Sequence, residues 1–396
     1  MSNRHEFYVC FACQECSNII EVHFKPGESH KYIGARRLGN ETLFDQETNF
    51  VDLHPDFPVA YGKYVMGNTP FMQALQRQGH DEVLFHQFRT NYLNQCIHDA
   101  RKFETLLKHY KREKIRPFEL NLKKHFDINM KTHKPQDINA ALYSLIAKMM
   151  NAFTFPNQDA ETVQVNLDVL GTIQSDSPQA IQNFIDEVLD KGFLKKVQFD
   201  CLDIYPEILN SDMVFRPALF LDFDESYAES PIPMRVSTDD FQSFKDLYKD
   251  IAEIISKLLV LVAGVNNLAK RADHDKFKLG IGQRGRRDLT PTSLEKFADV
   301  AYGLKMDMID DSWFEFVDEA VDNQLRNAIA HVKTEYDDIT QIITYYPKKE
   351  GLKSERPETI TFLEFIRRIL ISYREMHRMH HLVKALFYHH YLLPRV

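Results

Sequence analysis

A chain of 396 residues with 44% hydrophobic and 27% charged side chains carries enough apolar material for more than one core, and two or three domains are expected. Its net charge of -8 excludes a protein that coats nucleic acid over its whole surface, so any basic site must be local. Five cysteines, three of them packed at Cys10, Cys13 and Cys16, form no disulfide framework. No apolar leader is visible and the longest apolar run, 258–263, is short, so the expectation is a cytoplasmic protein with no membrane association.

Residues 1–75 read as an irregular N-terminal segment. Within it Phe7-Tyr8-Val9 and the run from Ile19 to Phe24 have strand character and flank a cysteine knuckle. Cys10-Phe11-Ala12-Cys13-Gln14-Glu15-Cys16 has the tight spacing of a zinc knuckle, but the usual second Cys-x-x-Cys is missing. His5, His23 or His30 could complete the set. The candidate metal ligands are therefore Cys10, Cys13, Cys16 and His23, holding structural zinc, against a purely structural cysteine cluster. Residues 76–135 form a helical connector, because Val83, Leu84, Phe88, Tyr92, Leu93, Cys96, Phe103 and Leu106 recur at three and four residues. Its basic stretch, 108–124, has the pattern of a solvated helix face.

A winged-helix-like unit and linker are placed at 136–235. Residues 138–153 predict an apolar helix, while 163–173 is β-branched and leaves helix or strand open. Ser177 suits an N-cap, Pro178 a first helical position and Gly192 a helix stop. Alternation over 195–205 predicts a strand, and 206–233, with two closely spaced prolines, reads as linker and loop. The succession of helices, a Ser-Pro-capped helix and a hairpin-like segment resembles a winged-helix domain. A recognition helix should be basic, yet Gln179, Gln182 and Asn183 are neutral and Asp186, Glu187 and Asp190 repel phosphate. Protein contact or plain architecture suits such a helix better than DNA reading.

From 240 to 396 the pattern is almost wholly helical, with helices expected at 240–270, 292–308, 312–331 and 361–391. Between the first two lies a basic, glycine-bearing loop with Lys276, Lys278, Arg284, Arg286 and Arg287, suited to an RNA backbone or simply solvated. It lacks the Gly-Lys-Ser/Thr ending of a phosphate-binding loop. The expected third helix ends in Arg326-Asn327-Ala328-Ile329-Ala330-His331, placing a permanent cation and an imidazole on nearly the same side. Arg374 and His380 match the same spacing loosely.

Arginine, a polar residue and a histidine late in the third helix of a C-terminal four-helix bundle resemble the HEPN family. The resemblance covers roughly 240–396. It implies a mainly α protein whose HEPN-like bundle carries a metal-independent endoribonuclease of the toxin or phage-defence type. It also implies a composite site at a homodimer interface, with Arg326, Asn327 and His331 catalytic, no catalytic cofactor, and an inhibitory or activating protein partner. The chemistry agrees. Cleavage of RNA by its own 2′-hydroxyl needs proton removal, proton donation and charge stabilisation at phosphorus, for which histidine and arginine are suited. The alternative is a non-catalytic, winged-helix-containing regulator whose bundle only dimerises or binds nucleotide. His377 and His381 share a face of the last helix at the i, i+4 spacing of a metal pair, without the Glu of the metalloprotease motif; a packed helix face is the plainer reading.

Overall fold

The computed structural model describes residues 4, 6–25, 27–39, 47–63, 69–223, 234–238, 240–330, 334–346 and 357–393. Strands β1 (Phe7–Ala12), β2 (Ile19–Phe24), β3 (Lys31–Ile33), β4 (Asn49–Asp52) and β5 (Val59–Lys63) open the chain. Helices α1 (Pro70–Gln78), α2 (His80–Lys111), α3 (Ile115–Phe126), α4 (Pro135–Met150), α5 (Pro156–Asp176), α6 (Pro178–Asp190), α7 (Phe193–Asn210) and α8 (Asp212–Phe220) follow. After β6 (Met234–Arg235) come α9 (Phe241–Arg271), the β7 (Gln283–Arg284) and β8 (Arg287–Asp288) hairpin, α10 (Leu294–Ala298), α11 (Tyr302–Lys305) and α12 (Asn323–Ala330). Strands β9 (Thr334–Asp337), β10 (Ile342–Tyr345) and β11 (Glu358–Thr361) lead into the last helix, α13 (Phe362–Leu392). The fold is mainly helical with small antiparallel sheets.

Two compact units share these elements, and neither is contiguous in sequence: 1–98, 209–248 and 324–370 form the first, 99–208, 249–323 and 371–396 the second. The long helices α2, α9 and α13 each contribute to both. The sequence division at 75, 135 and 240 therefore does not follow the compact units.

The first unit holds three sheets, ordered β1-β2-β3, β4-β5-β6 and β9-β10-β11. Its centre is charged. Arg216 is fully buried and donates to Asp56 Oδ1 at 2.8 Å, Asp212 Oδ2 at 2.7 Å and Asn94 Oδ1 at 2.6 Å. Arg4 reaches the same Asp212 at 3.0 Å. A buried guanidinium is tolerated only when such acceptors surround it. Nearby, His86 is completely buried, donates from Nε2 to the Asp56 carbonyl at 2.6 Å, and lies edge-on to Phe57 and Phe220. The third sheet is fixed by rings: Tyr336 of β9 stacks on Phe241, and both contact Phe362, while Phe365 also meets Phe241. Gln341, in the turn before β10, pairs its side-chain amide with both backbone groups of Val236, at 3.0 and 2.8 Å.

The second unit is a helical assembly. The start of α9, which belongs to the first unit, is capped by Asp240 accepting from the Ser243 amide at 3.1 Å. Further along, Gly264 lets α6 approach closely, because a Cβ there would lie 2.6 Å from the Phe184 ring. At the other end of α9, Arg271 makes a two-pronged bond to Asp310, at 2.8 and 3.0 Å, and anchors the segment that follows the helix. Among the described residues α9 is the one helix long and apolar enough to cross a membrane, since it extends the 258–263 run in both directions; 83% of that apolar window is buried inside the protein.

Several expected elements differ. Residues 195–205 are helical, inside α7, so the hairpin expected of a winged-helix unit is absent there. Leu194, Val197, Cys201, Tyr205 and Ile208 are all buried, and that spacing of three and four residues outweighs the shorter alternation. Residues 163–173 lie in helix α5. Ser177 precedes α6 without a side-chain cap bond, whereas Gly192 takes a left-handed φ of 66° after it, as a helix stop should. The linker expected after Pro206 is instead the end of α7 and α8 as far as 220. Neither the second nor the third expected helix of the bundle is continuous. Residues 292–308 break into α10, α11 and a 3-10 turn, and among the described residues of 312–330 the α-helix is confined to α12.

Burial pushes the His86 imidazole down to about 4, and His54 likewise, so both are neutral in the folded protein near neutrality. The unfolded chain takes up a proton near 6.5 where the folded chain does not. The stabilisation is thus complete above pH 6.5 and is lost as pH falls toward 4, by about 3 kcal/mol for His86. Urea midpoints measured from pH 7 to 4 should fall steeply in the wild type and less steeply in His86→Gln.

Candidate functional site

Leu325, Ala328 and Ile329 are buried and lie at three- and four-residue spacing, which gives α12 one apolar face and turns the residues between them outward. Arg326 is half-buried and Asn327 exposed. The guanidinium Nη1 donates to Asn327 Oδ1 at 3.3 Å, so the pair forms one polar group on the outer side of a short helix. His331, one residue beyond α12, lies outside the described residues. The ring cluster of Tyr336, Phe241 and Phe362 fixes the sheet that begins three residues later at β9.

The second match to the same spacing is a different object. Arg374 is buried, donates from Nε to the Phe153 carbonyl at 2.7 Å and lies 4.1 Å over the Phe155 ring. His380 is buried as well and bonded to two tyrosines. Neither can meet a phosphodiester. Burial thus separates two motifs that spacing alone leaves equal.

The basic loop forms the β7–β8 hairpin and its approach, and Lys276, Lys278, Arg284, Arg286 and Arg287 are all exposed. Arg284 is held by Asp307 at 2.5 Å. The loop belongs to the second compact unit and Arg326 to the first. In the N-terminal hairpin, β1 and β2 pair from Phe7 with Phe24 to Ala12 with Ile19. Cys10 is buried, Cys16 exposed, and His23 sits 3.3 Å from Glu21 while stacking on Tyr8. Backbone hydrogen bonds from the Cys16 and Glu15 amides pull the Cys13 thiol below its usual range. The polar residues on α6 bond one another, Gln179 to Asn183 at 2.8 Å and Gln182 to Asp186 at 3.0 Å, which leaves little for base reading.

Among the described residues, the group of three His, Cys, Asp or Glu ligand atoms lying within 4.8 Å of one another is Asp159, His377 and His381, not the cysteine set. The two histidines are the i, i+4 pair on α13. Asp159 comes from the first turn of α5, where an acidic residue passes for a helix-dipole partner. Asp159 Oδ2 lies 3.6 Å from His377 Nε2, and its Oδ1 lies 3.7 Å from His381 Nε2. These separations are just beyond hydrogen bonding. Burial pushes the Asp159 carboxyl up, but the His377 and His381 rings outweigh it and hold the group below the usual carboxylate range. Burial lowers His381 to about 4 and sets His380 well below its ordinary value.

Behind the pair runs a polar chain. The Tyr205 hydroxyl lies 2.9 Å from His377 Nδ1 and 2.7 Å from His380 Nδ1. It has a single proton for two ring nitrogens, so one imidazole donates to it and the other accepts. The arrangement in which His377 donates leaves its Nε2 lone pair facing Asp159, the form a metal ligand takes. His380 Nε2 continues to Tyr143 at 3.3 Å, whose oxygen accepts from Gln198 Nε2 at 3.2 Å. Burial raises both tyrosines well above their ordinary values, so they keep their protons. A cavity of about 190 Å³, lined in part by Tyr143, Asp159, His377, His381 and Lys384, opens at the group.

Comparison of the chain with protein-family models, with curated proteins and with solved structures finds no match.

Removing the Tyr205 hydroxyl leaves two buried imidazole nitrogens without their shared partner. Tyr205→Phe should destabilise the protein by about 1–3 kcal/mol. A urea titration at pH 7, with far-UV circular dichroism confirming an unchanged helix content, measures it.

Proposed function

We propose that the protein is a metal-independent endoribonuclease of the HEPN type, acting as a homodimer that brings two Arg326–Asn327–His331 motifs to one phosphodiester, in a prokaryotic toxin or phage-defence setting. The observation that supports this reading is the pairing of half-buried Arg326, through Nη1, with exposed Asn327 on α12, above a face anchored by Leu325, Ala328 and Ile329. A half-buried guanidinium bonded to an exposed amide is a group that can turn its terminal nitrogens to a phosphate oxygen. His331, a residue type that titrates near neutrality, supplies proton removal from the 2′-hydroxyl in one copy and proton donation to the leaving 5′-oxygen in the other. The exposed cations of the β7–β8 hairpin supply backbone affinity without sequence preference. Three short α-helices and two 3-10 turns among the described residues, in place of two long helices between α9 and α13, depart from the bundle that the resemblance implies.

Purified protein incubated with total RNA and EDTA should release fragments ending in 2′,3′-cyclic phosphate. Arg326→Ala and His331→Ala should each lower the rate by about 10²–10⁴-fold, with Asn327→Ala between them and the wild type. Arg286→Glu with Arg287→Glu should weaken RNA binding and steepen neither the product pattern nor its end chemistry. Equal cleavage by wild type and His331→Ala would place the activity elsewhere.

A further inference from the structure

In the second unit both ring nitrogens of His381 are buried and neither has a hydrogen-bond partner, as holds also for both polar atoms of the Asn166 amide. Such a group costs about 1–3 kcal/mol when left unsatisfied. The other histidines of this turn are provided for, His377 and His380 by Tyr205. His381 Nε2 instead faces a carboxylate at 3.7 Å, with His377 Nε2 on the other oxygen of that carboxylate at 3.6 Å.

We propose that Asp159, His377 and His381 bind one divalent transition-metal ion of the zinc class, with a fourth position open to the adjoining cavity. Bonds of about 2.0–2.1 Å to a tetrahedral ion set ligand atoms roughly 3.3 Å apart, so the two observed separations need to close only slightly. Two imidazoles and a carboxylate are the donor set of an open zinc site, whereas a closed structural site is usually richer in thiolate. The i, i+4 spacing on a rigid helix fixes both nitrogens toward one point. Tyr205 on His377 Nδ1 is the outer partner that sets the ligand tautomer and ring orientation. The cavity leaves room for a water or a small anion as the fourth ligand, and the Lys384 side chain lines it on the same helix. The ion joins α5 to α13, which Arg378 Nε also bridges by donating to Thr162 Oγ1 at 3.2 Å, and it does not involve the Arg326 motif.

The test uses the full chain, stripped with a chelator and titrated with zinc chloride against a fluorescent zinc indicator. One zinc per chain is expected. Asp159→Asn and His381→Gln should each weaken binding by more than the ~10–100-fold expected for Tyr205→Phe, which removes only an outer partner. Zinc should raise the melting temperature of the wild type and leave that of Asp159→Asn unchanged, with circular dichroism confirming that the variant is folded. Cobalt should give visible d–d bands without a thiolate-to-cobalt charge-transfer band, and Cys13→Ser with Cys16→Ser should leave the stoichiometry at one. Sub-stoichiometric zinc in the wild type, equal binding by the folded Asp159→Asn and His381→Gln chains, or loss of zinc in the cysteine variant would overturn the assignment.

Discussion

A helix buried on nearly every side must find a partner for each polar atom it carries, and the second unit depends on how α13 meets that demand. Ser372 donates to the Ala320 carbonyl at 3.1 Å. Arg374 reaches the Phe153 carbonyl, and Glu375 accepts from Arg378 at 2.8 Å. Burial pushes the Glu375 carboxyl up to about 7, and the Arg378 guanidinium beside it works against that rise. His377 and His380 divide one tyrosine hydroxyl between them. Ser372, Arg374, His377 and His380 find their partners on three other segments, at Ala320, Phe153 and Tyr205, and Glu375 finds one on α13 itself. Each bond fixes where a segment lies along α13, so the polar residues, more than the apolar stripe, set the register of the packing. The Tyr373 hydroxyl and His389 Nε2 depart from the pattern, and His381 departs from it at both ring nitrogens; local rules tend to be broken where a structure serves a function.

The first unit meets the same constraint with charge. Arg216 has no contact with water and gathers Asp56, Asp212 and Asn94, from three separate stretches of chain, with Arg4 closing on Asp212. Removing one partner of such a cluster strands a charge in low dielectric at a cost of about 3–5 kcal/mol. The unit holding the Arg326 motif therefore rests on buried ions far from that motif in sequence. A change in Asp56 or Asp212 that abolished activity would report folding before chemistry. Substitutions on the outer side of α12 carry no such ambiguity, because Asn327 is exposed and its neighbours Leu325 and Ala328 remain in place beneath.

Long elements with sustained periodicity were legible in the amino-acid order: α2, α9 and α13 sit close to where their apolar spacing puts them, and β1 and β2 flank the cysteines as expected. Misreadings cluster where two periods compete or where a polar partner lies elsewhere. In 195–205 a local alternation masks buried positions at 194, 197, 201 and 205 that only a helix can align. Between 292 and 322 the run expected as one helix is interrupted where Ala301 takes an extended ψ of 137° before α11, and Asp311 takes a left-handed φ of 43° further on. Asp159 was not legible at all. It stands in a helix first turn like many acidic residues, and nothing local signals that His377 and His381 will meet it.

Arginine–histidine spacing is a weak index of ribonuclease chemistry because it records only that two residues share a helix side. What the chemistry requires is a cation and an imidazole that an RNA backbone can reach, with water excluded only after it arrives. Arg374 and His380 satisfy the spacing and fail that requirement, since a carbonyl and two tyrosines already occupy their polar atoms. Arg326 is half-buried and bonded through Nη1 to the exposed Asn327 amide. The same distinction divides the histidines of α13. His380 is committed to its tyrosines, while His381 keeps both nitrogens without a hydrogen bond beside a carboxylate. Availability of a polar atom, rather than the presence of its residue, is what separates structural positions from chemical ones in both units.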